Sequence, residues 1–336
     1  MNQISRNSLI LLAFITFTLL FLTAFVGASQ SYMKEVLEEI KISGSPPLSS
    51  SVHLSFVGDI MLDRGVKGKV NRYGKGDYHF IFENAAFLKE PDLMFANLEG
   101  PVSARGANVG SIYSFRFDPI VLSVLKDVGF DVLSMANNHI GDWGRLALED
   151  TITLGQENGF DMVGGGMGYQ DAKKPSVYEV SGIKVAYLGF SDFTTGLVSA
   201  SDSDSLRAGV LSASDPNIAT IISDAAAQSD ILIVSYHFGD EYQSLSNNRQ
   251  KHLAHLAIDS GADIVAGHHP HVEEEVEEYN GGVIAYSLGN FVFDQNFSKQ
   301  TMQGMKLDVI VSKKGIESFS TSTIFMNSNY QPSVVQ

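Results

Sequence analysis

From Val52 onward, short apolar runs alternate with stretches of helical period. Apolar-rich runs bounded by Gly, Asp or Asn predict strands, and apolar residues three and four apart predict helices. Strands are expected at Val52–Val57, Leu93–Ala96, Val132–Ala136, Phe160–Val163, Ile231–Tyr236, Asp263–Ala266 and Val283–Ser287. Helices are expected at Phe80–Lys89, Pro119–Val128, Arg145–Asn158, Pro216–Ala227 and Arg249–Ser260. Val177–Val180 and Val185–Phe190 flank Ser181-Gly182, a hairpin signal, and Lys306–Val311 and Ile316–Phe325 are β-like. Strands separated by helices indicate a layered α/β domain, and the hairpins argue for mixed rather than purely parallel sheets. Ser199–Arg207 reads as a polar surface loop and residues 327–336 as a frayed, flexible tail.

The amino terminus has a different pattern. Arg6 precedes an apolar run from Leu9 to Val26, followed by small residues at Gly27 and Ala28. Residues 1–28 therefore read as a cleaved signal peptide or an uncleaved membrane anchor. Either places the remainder outside the cytoplasm. Residues 29–51 form a lead and linker, with a helix expected at Tyr32–Ile42, and one domain covers 52–326.

Composition narrows the chemistry. The chain has 23 Lys+Arg against 38 Asp+Glu, a net charge of −15, and no basic patch is evident. Such a surface repels phosphate backbones, which argues against nucleic-acid binding. With no Cys, disulfides, thiolate zinc sites, Fe–S clusters and cysteine nucleophiles are excluded.

Polar residues capable of binding metal or moving protons recur at predicted strand ends: Asp59, Glu99, Asn138-His139, His237, and the group His268, His269 and His271. The carboxyl ends of strands are where α/β folds place their chemistry. Oxygen and imidazole donors without thiolates suit one or two divalent ions, Mn²⁺, Fe or Zn²⁺. Gly267-His268-His269-Pro270-His271 is the strongest local signal, because Gly permits a tight exit from the strand and Pro stiffens the turn. His252 and His255 read as helix-face residues, Met61 as core, Asp240, Glu241 and Tyr242 as loop packing, and Glu273–Glu278 as a solvated acidic strand. Gly164-Gly165-Gly166 lacks nucleotide-binding spacing.

Six segments together resemble the bacterial capsule-synthesis protein family: FVGDIML from Phe56, FANLEGP from Phe95, MANNHIGDWG from Met135, HFGDEY from His237, GHHPHV from Gly267 and SLGNFVFDQ from Ser287. That family includes the membrane-associated component of poly-γ-glutamate production and is similar to calcineurin-like metallophosphoesterases. The resemblance implies a layered α/β/β/α sandwich with mixed sheets. It implies metal ligands at Asp59, Glu99, Asn138, His237, His268 and His271, with His139 contacting the leaving group. Asp142 is expected to orient His139 through its other ring nitrogen. Arg64, Arg105 and Arg116 are candidates to hold a substrate anion, with Arg116 preferred because the family often has Arg there. Met61 stands where such enzymes usually carry His, which leaves that metal position to Asp63, His269 or water, or leaves one firmly held ion.

The resemblance implies a metal-dependent hydrolase acting on a phosphoester. A γ-glutamyl or wall-derived amide hydrolase and a metal-containing polymer-assembly component without turnover stay open. Expected partners are an anionic small molecule or polymer, either phosphoester or polyglutamate-like, and membrane capsule-synthesis proteins.

Overall fold

The computed structural model describes Gly27 and residues 29–34, 51–193, 197–198 and 207–335. The Leu9–Val26 run, most of the expected Tyr32–Ile42 helix, the linker up to residue 50 and the expected loop at 199–206 lie outside the described residues. Among the described residues, no helix is long and apolar enough to cross a membrane. Residues 29–34 are helical and belong to a first unit, Met1–Ser49; a second unit, Ser50–Gln336, carries everything below.

In chain order the second unit contains β1 (Val52–Ile60), α1 (Arg64–Tyr73), β2 (Leu93–Leu98), α2 (Ile120–Val128), β3 (Val132–Ser134), α3 (Gly144–Glu157), β4 (Met162–Val163), β5 (Gly165–Gly166), α4 (Tyr169–Ala172), β6 (Ser176–Val180), β7 (Ile183–Ser191), β8 (Leu197–Val198) and β9 (Gly209–Leu211). It continues with α5 (Ile218–Ala226), β10 (Ile231–His237), α6 (Asn248–Asp259), β11 (Ile264–His268), β12 (Val276–Tyr279), β13 (Gly282–Ala285), β14 (Asn290–Val292), β15 (Gln303–Ser312), β16 (Gly315–Met326) and β17 (Pro332–Val334).

One sheet runs β17-β16-β15-β1-β2-β3-β4, with β14 pairing the end of β1. Its β1–β4 and β1–β14 pairings are parallel, and β15–β17 are antiparallel. A second sheet runs β12-β13-β11-β10-β7-β6, with a parallel centre and an antiparallel hairpin at each edge. Both hairpin turns place two successive residues at positive φ, Ser181-Gly182 and Asn280-Gly281, as a two-residue turn between twisted strands requires. The small third sheet pairs β5, β9 and β8.

Strand alternation builds three cores. Val52, Leu54 and Phe56 of β1 join Phe95, Tyr187, Ile231, Ile233 and Ile264 in a core between the two large sheets. Across that interface Phe95 stacks on Tyr187 with ring centroids 5.8 Å apart. On the other face of the first sheet, α2 and α3 bury Val121, Leu122, Leu125, Leu148 and Ile152. On the outer face of the second, α5 and α6 bury Ile218, Ile222, Leu253 and Ala257. The result is a layered α/β/β/α architecture with mixed sheets. Helix ends follow local chemistry. Asn247 and Gln250 close a reciprocal capping box at α6, and Gly129, at φ 118°, terminates α2.

Three expectations need correction. Phe80–Lys89 is not one helix but two 3-10 turns, Tyr78–Phe82 and Ala86–Lys89. The Phe80 carbonyl, which would continue an α-helix, instead accepts from Gln331 Nε2 at 2.7 Å. The tail at 327–336 is ordered through Val335: Pro332–Val334 pairs with β16, and Tyr330 and Gln331 are buried. The acidic strand is tied rather than freely solvated. Glu274 is buried against Gln250, Glu275 accepts from Ser246, and Glu277 accepts from Tyr286 and sits 3.0 Å from His255 Nε2.

Candidate metal centre

The ends of parallel strands from both large sheets meet at one place. Asp59 near the end of β1 pairs laterally with Asn97 on β2 and Asn290 on β14. The register slips between Phe56 and Asp59 and again between Asp59 and Ile60, and such irregularities re-aim side chains. In the second sheet, His237 at the end of β10 lies beside His268 at the end of β11. Two glycines permit the close approach. A Cβ on Gly58 would fall 1.9 Å from the Gly289 carbonyl oxygen, and one on Gly267 would fall 1.9 Å from that of Tyr286. Each glycine immediately precedes a site residue, so the Gly-Asp and Gly-His-His sequences record backbone packing as well as chemistry.

Donor atoms of Asp59, Glu99 and His237, all buried, lie within 4.8 Å of one another. His268 Nδ1 is 3.0 Å from Asp59 Oδ1. His271 Nδ1 is 3.4 Å from Asp59 Oδ2, and its Nε2 is 3.6 Å from Glu99 Oε1. Asn138 Oδ1 is 2.8 Å from His237 Nε2, and His269 Nδ1 is 3.2 Å from the same nitrogen. His269 and His271 both have positive φ, 102° and 59°, a conformation that non-glycine residues adopt sparingly and that clusters at functional sites.

Burial sets the electrostatics. It opposes ionisation of Asp59, yet hydrogen bonds and positive charge from His268 and His271 hold that carboxyl well below its ordinary range. Glu99 is pushed well above its ordinary value, first by burial and then by the charge of Asp59. Burial drives His237 well below the usual imidazole range, and burial with the neighbouring His271 brings His269 down to about 3. His237 and His269 are thus neutral imidazoles, whose lone pairs are free to ligate, and the two carboxylates resist ionising together. Glu99 Oε1 and His268 Nε2 are buried without a hydrogen-bond partner. A buried acceptor in this state is costly, and a cation relieves both the missing partner and the carboxylate repulsion. The residues fit a divalent ion.

Beside this centre, His139 Nδ1 is 2.8 Å from Asp142 Oδ2, which also accepts from the Phe115 amide at 2.9 Å. The imidazole packs on Phe115 at 4.1 Å between centroids, and its Nε2 is 3.8 Å from Glu99 Oε1. Asp142 thereby fixes the orientation of the imidazole, with Nε2 turned toward Glu99. A cleft of about 230 Å³ opens here, lined by His139, His271, Arg64, Glu241 and the rings of Tyr113, Phe115, Tyr242, Phe293 and Phe297. A larger groove, about 540 Å³, runs between α4 and α5 and contains none of these residues.

The structure brings together Asp59, Glu99, Asn138, His139, Asp142, His237, His268 and His271. It does not bring Arg116 with them. The Arg116 guanidinium lies 3.6 Å over the Trp143 ring, its amide donates to Asp63 Oδ2, and Arg64 is the arginine that lines the cleft. Arg105 pairs with Asp150 in an exposed position. Asp63 is thus occupied, while Met61 is fully buried core. His255 stacks on Tyr279, and His252 is exposed. Glu241 and Tyr242, expected as loop packing, face the cleft.

The amides are what sequence reasoning missed. Asn97 Nδ2 donates to Asp59 at 2.9 Å and contacts Glu99 at 3.4 Å, Asn137 Nδ2 donates to Asn97 Oδ1 at 3.1 Å, and Asn290 Oδ1 is 3.0 Å from His271 Nδ1. Their signal was position alone, each next to a named site residue or at a strand end.

Residues 53–295 match the family described as Bacterial capsule synthesis protein PGA_cap. The chain is 36% identical over 313 residues to a Bacillus subtilis PGA biosynthesis protein CapA, covering 92% of this chain and 78% of the relative. It is 37% identical over 258 residues to a Bacillus anthracis capsule biosynthesis protein CapA, covering 73% of this chain but only 61% of that protein. A crystal structure of a novel phosphatase from Mycoplasma pneumoniae superposes with a TM-score of 0.50 at 11% identity, covering 84% of this chain and 97% of the other. A hypothetical protein from Thermus thermophilus does so with a TM-score of 0.50 at 13% identity, covering 81% and 98%. These two likenesses concern the layered fold alone. With a family match that spans the candidate metal centre and with its CapA relatives, this chain belongs to the bacterial capsule synthesis protein (PGA_cap) family.

Proposed function

We propose that this chain works outside the cytoplasm in capsule or poly-γ-glutamate synthesis as a metal-dependent hydrolase of a phosphoester. The observation that carries the reading is Glu99, a fully buried carboxylate with one unpartnered oxygen, set among Asp59, His237 and His271. In this reading Asp59, Glu99 and His237 hold a divalent ion, with Asn138, His268 and His271 completing its surroundings. A bound divalent ion of this kind supplies Lewis acidity and makes water nucleophilic at neutral pH. Asn97 fixes Asp59 beside Glu99 through its amide. His139 Nε2 delivers a proton to the departing oxygen, and Asp142 stabilises the imidazolium. Phe115 and Phe293 exclude water from one wall. The apolar Leu9–Val26 run supports the extracytoplasmic placement, and membrane capsule-synthesis proteins are the partners this role requires.

A second reading, prompted by the PGA in the name of the Bacillus subtilis relative, is hydrolysis of a γ-glutamyl amide by the same donors. The test is metal analysis of the purified protein followed by assays on 4-nitrophenyl phosphate, bis(4-nitrophenyl) phosphate and γ-glutamyl-4-nitroanilide. Bound metal with phosphoester turnover is the expected result. Release of nitroaniline alone moves the activity to the amide, and bound metal without turnover on any of the three rejects hydrolysis.

A further inference from the structure

We propose that Arg64 is the specificity-determining residue of the cleft, its guanidinium receiving a carboxylate that the substrate carries beyond the bond to be broken. The inference rests on reading the cleft as that of a metal-dependent hydrolase.

Four observations single out this arginine. It lines the same cleft as His139 and His271. Its backbone is left-handed, φ 46°, at a non-glycine position, which ordinary helix starts do not need. Its guanidinium is held on one edge by Asp294, through Nε at 3.1 Å and through Nη2, and Asp294 is itself seated by the Gly65 amide at 2.8 Å. One face of the guanidinium lies 4.8 Å over the Phe115 ring, the ring that packs on His139.

The pairing engages Nε and Nη2; Nη1 makes no hydrogen bond among the described residues, and the side chain is 32% exposed. A guanidinium fixed along one edge and one face is pre-organised to bind a planar anion on its open edge. A pair that served only to clip α1 to the β14 loop would need neither the aromatic seat nor the left-handed backbone. The cleft also presents Glu241 and Asp294. Those carboxylates disfavour a second group with the nearly double charge of a phosphate and leave a singly charged carboxylate as the better match.

The test compares 4-carboxyphenyl phosphate with phenyl phosphate on the metal-loaded protein. The wild type should favour the carboxylated substrate in kcat/KM, mainly through KM. Arg64→Lys and Arg64→Ala should each reduce that preference about tenfold, the scale of one lost charged contact. Asp294→Asn, which frees the guanidinium from its orienting partner, should reduce it in the same direction. A wild type without the preference, or variants that slow both substrates equally while the preference persists, overturns the proposal. If neither phosphate is hydrolysed, the phosphoester reading fails separately, and calorimetric binding of γ-glutamylglutamate to the metal-loaded protein decides. Binding weakened about tenfold by Arg64→Lys upholds the carboxylate site. Unchanged affinity, or no binding by the wild type, overturns it.

Discussion

Replacing Gly58 with Ala tests whether the two strand ends approach as closely as the site requires. The new Cβ would lie 1.9 Å from the Gly289 carbonyl oxygen and 2.7 Å from its carbon, both rigid backbone atoms. An ordinary carbon–oxygen contact is about 3.3 Å, so β1 and the 288–290 segment must separate by roughly 1.4 Å. Overpacking of this kind costs about 1–3 kcal/mol. The same movement stretches the 2.9 Å Asp59 N–H to Gly289 O hydrogen bond, for about 1 kcal/mol more. A total near 3 kcal/mol lowers the Tm of a domain of this size by about 5 °C. Because Asn290 holds His271, the displacement should also reduce metal binding. Gly68→Ala is the control. It lies within α1, its Cβ meets nothing within 4 Å, and it should raise stability by about 0.5–1 kcal/mol. Calorimetric unfolding of the three proteins, with metal content measured alongside, gives the comparison. A Gly58→Ala protein that matches the wild type in both would refute the packing argument.

The other predictions concern the centre and its surroundings. His237→Ala should lower metal occupancy and turnover together, read by metal analysis and steady-state kinetics on one preparation. His139→Ala should keep its metal and lose about 10²–10⁴-fold in kcat, the usual weight of a general acid; unchanged turnover rejects the role. Burial raises the Glu274 carboxyl to about 7, above its unfolded value near 4.5, so the native state binds the extra proton. Stability contributed by that proton is complete below about 4.5 and falls as pH rises through 7. Glu274→Gln keeps an acceptor for Gln250 and should flatten that slope, gaining about 1–2 kcal/mol at pH 8 in denaturant titrations.

The strand–helix rhythm revealed the layers because alternation along β1 and β10 follows directly from which side of a sheet faces a core. The ligand-type residues were legible for the same reason, since Asp59, Glu99 and His237 stand where apolar runs stop. What escaped was information carried by long-range partners. Gln331 breaks the Phe80–Lys89 helix from 251 positions away along the chain, and nothing near Phe80 announces it. The amides at Asn97, Asn137 and Asn290 look like turn residues until their neighbours in space are known. The sequence favours Arg116 over Arg64 as the anion-holding cation; a left-handed backbone and one aspartate put Arg64 in the cleft instead, and Trp143 takes Arg116.

The proposed chemistry depends on a divalent ion at the convergence of the two sheets. Anomalous diffraction from crystals of zinc-loaded protein tests it most directly. A peak with oxygen and nitrogen ligands from Asp59, Glu99 and His237 at about 2.0–2.2 Å is the expected result. Zinc located elsewhere, or a loaded crystal in which Glu99 Oε1 still has no partner, would contradict it.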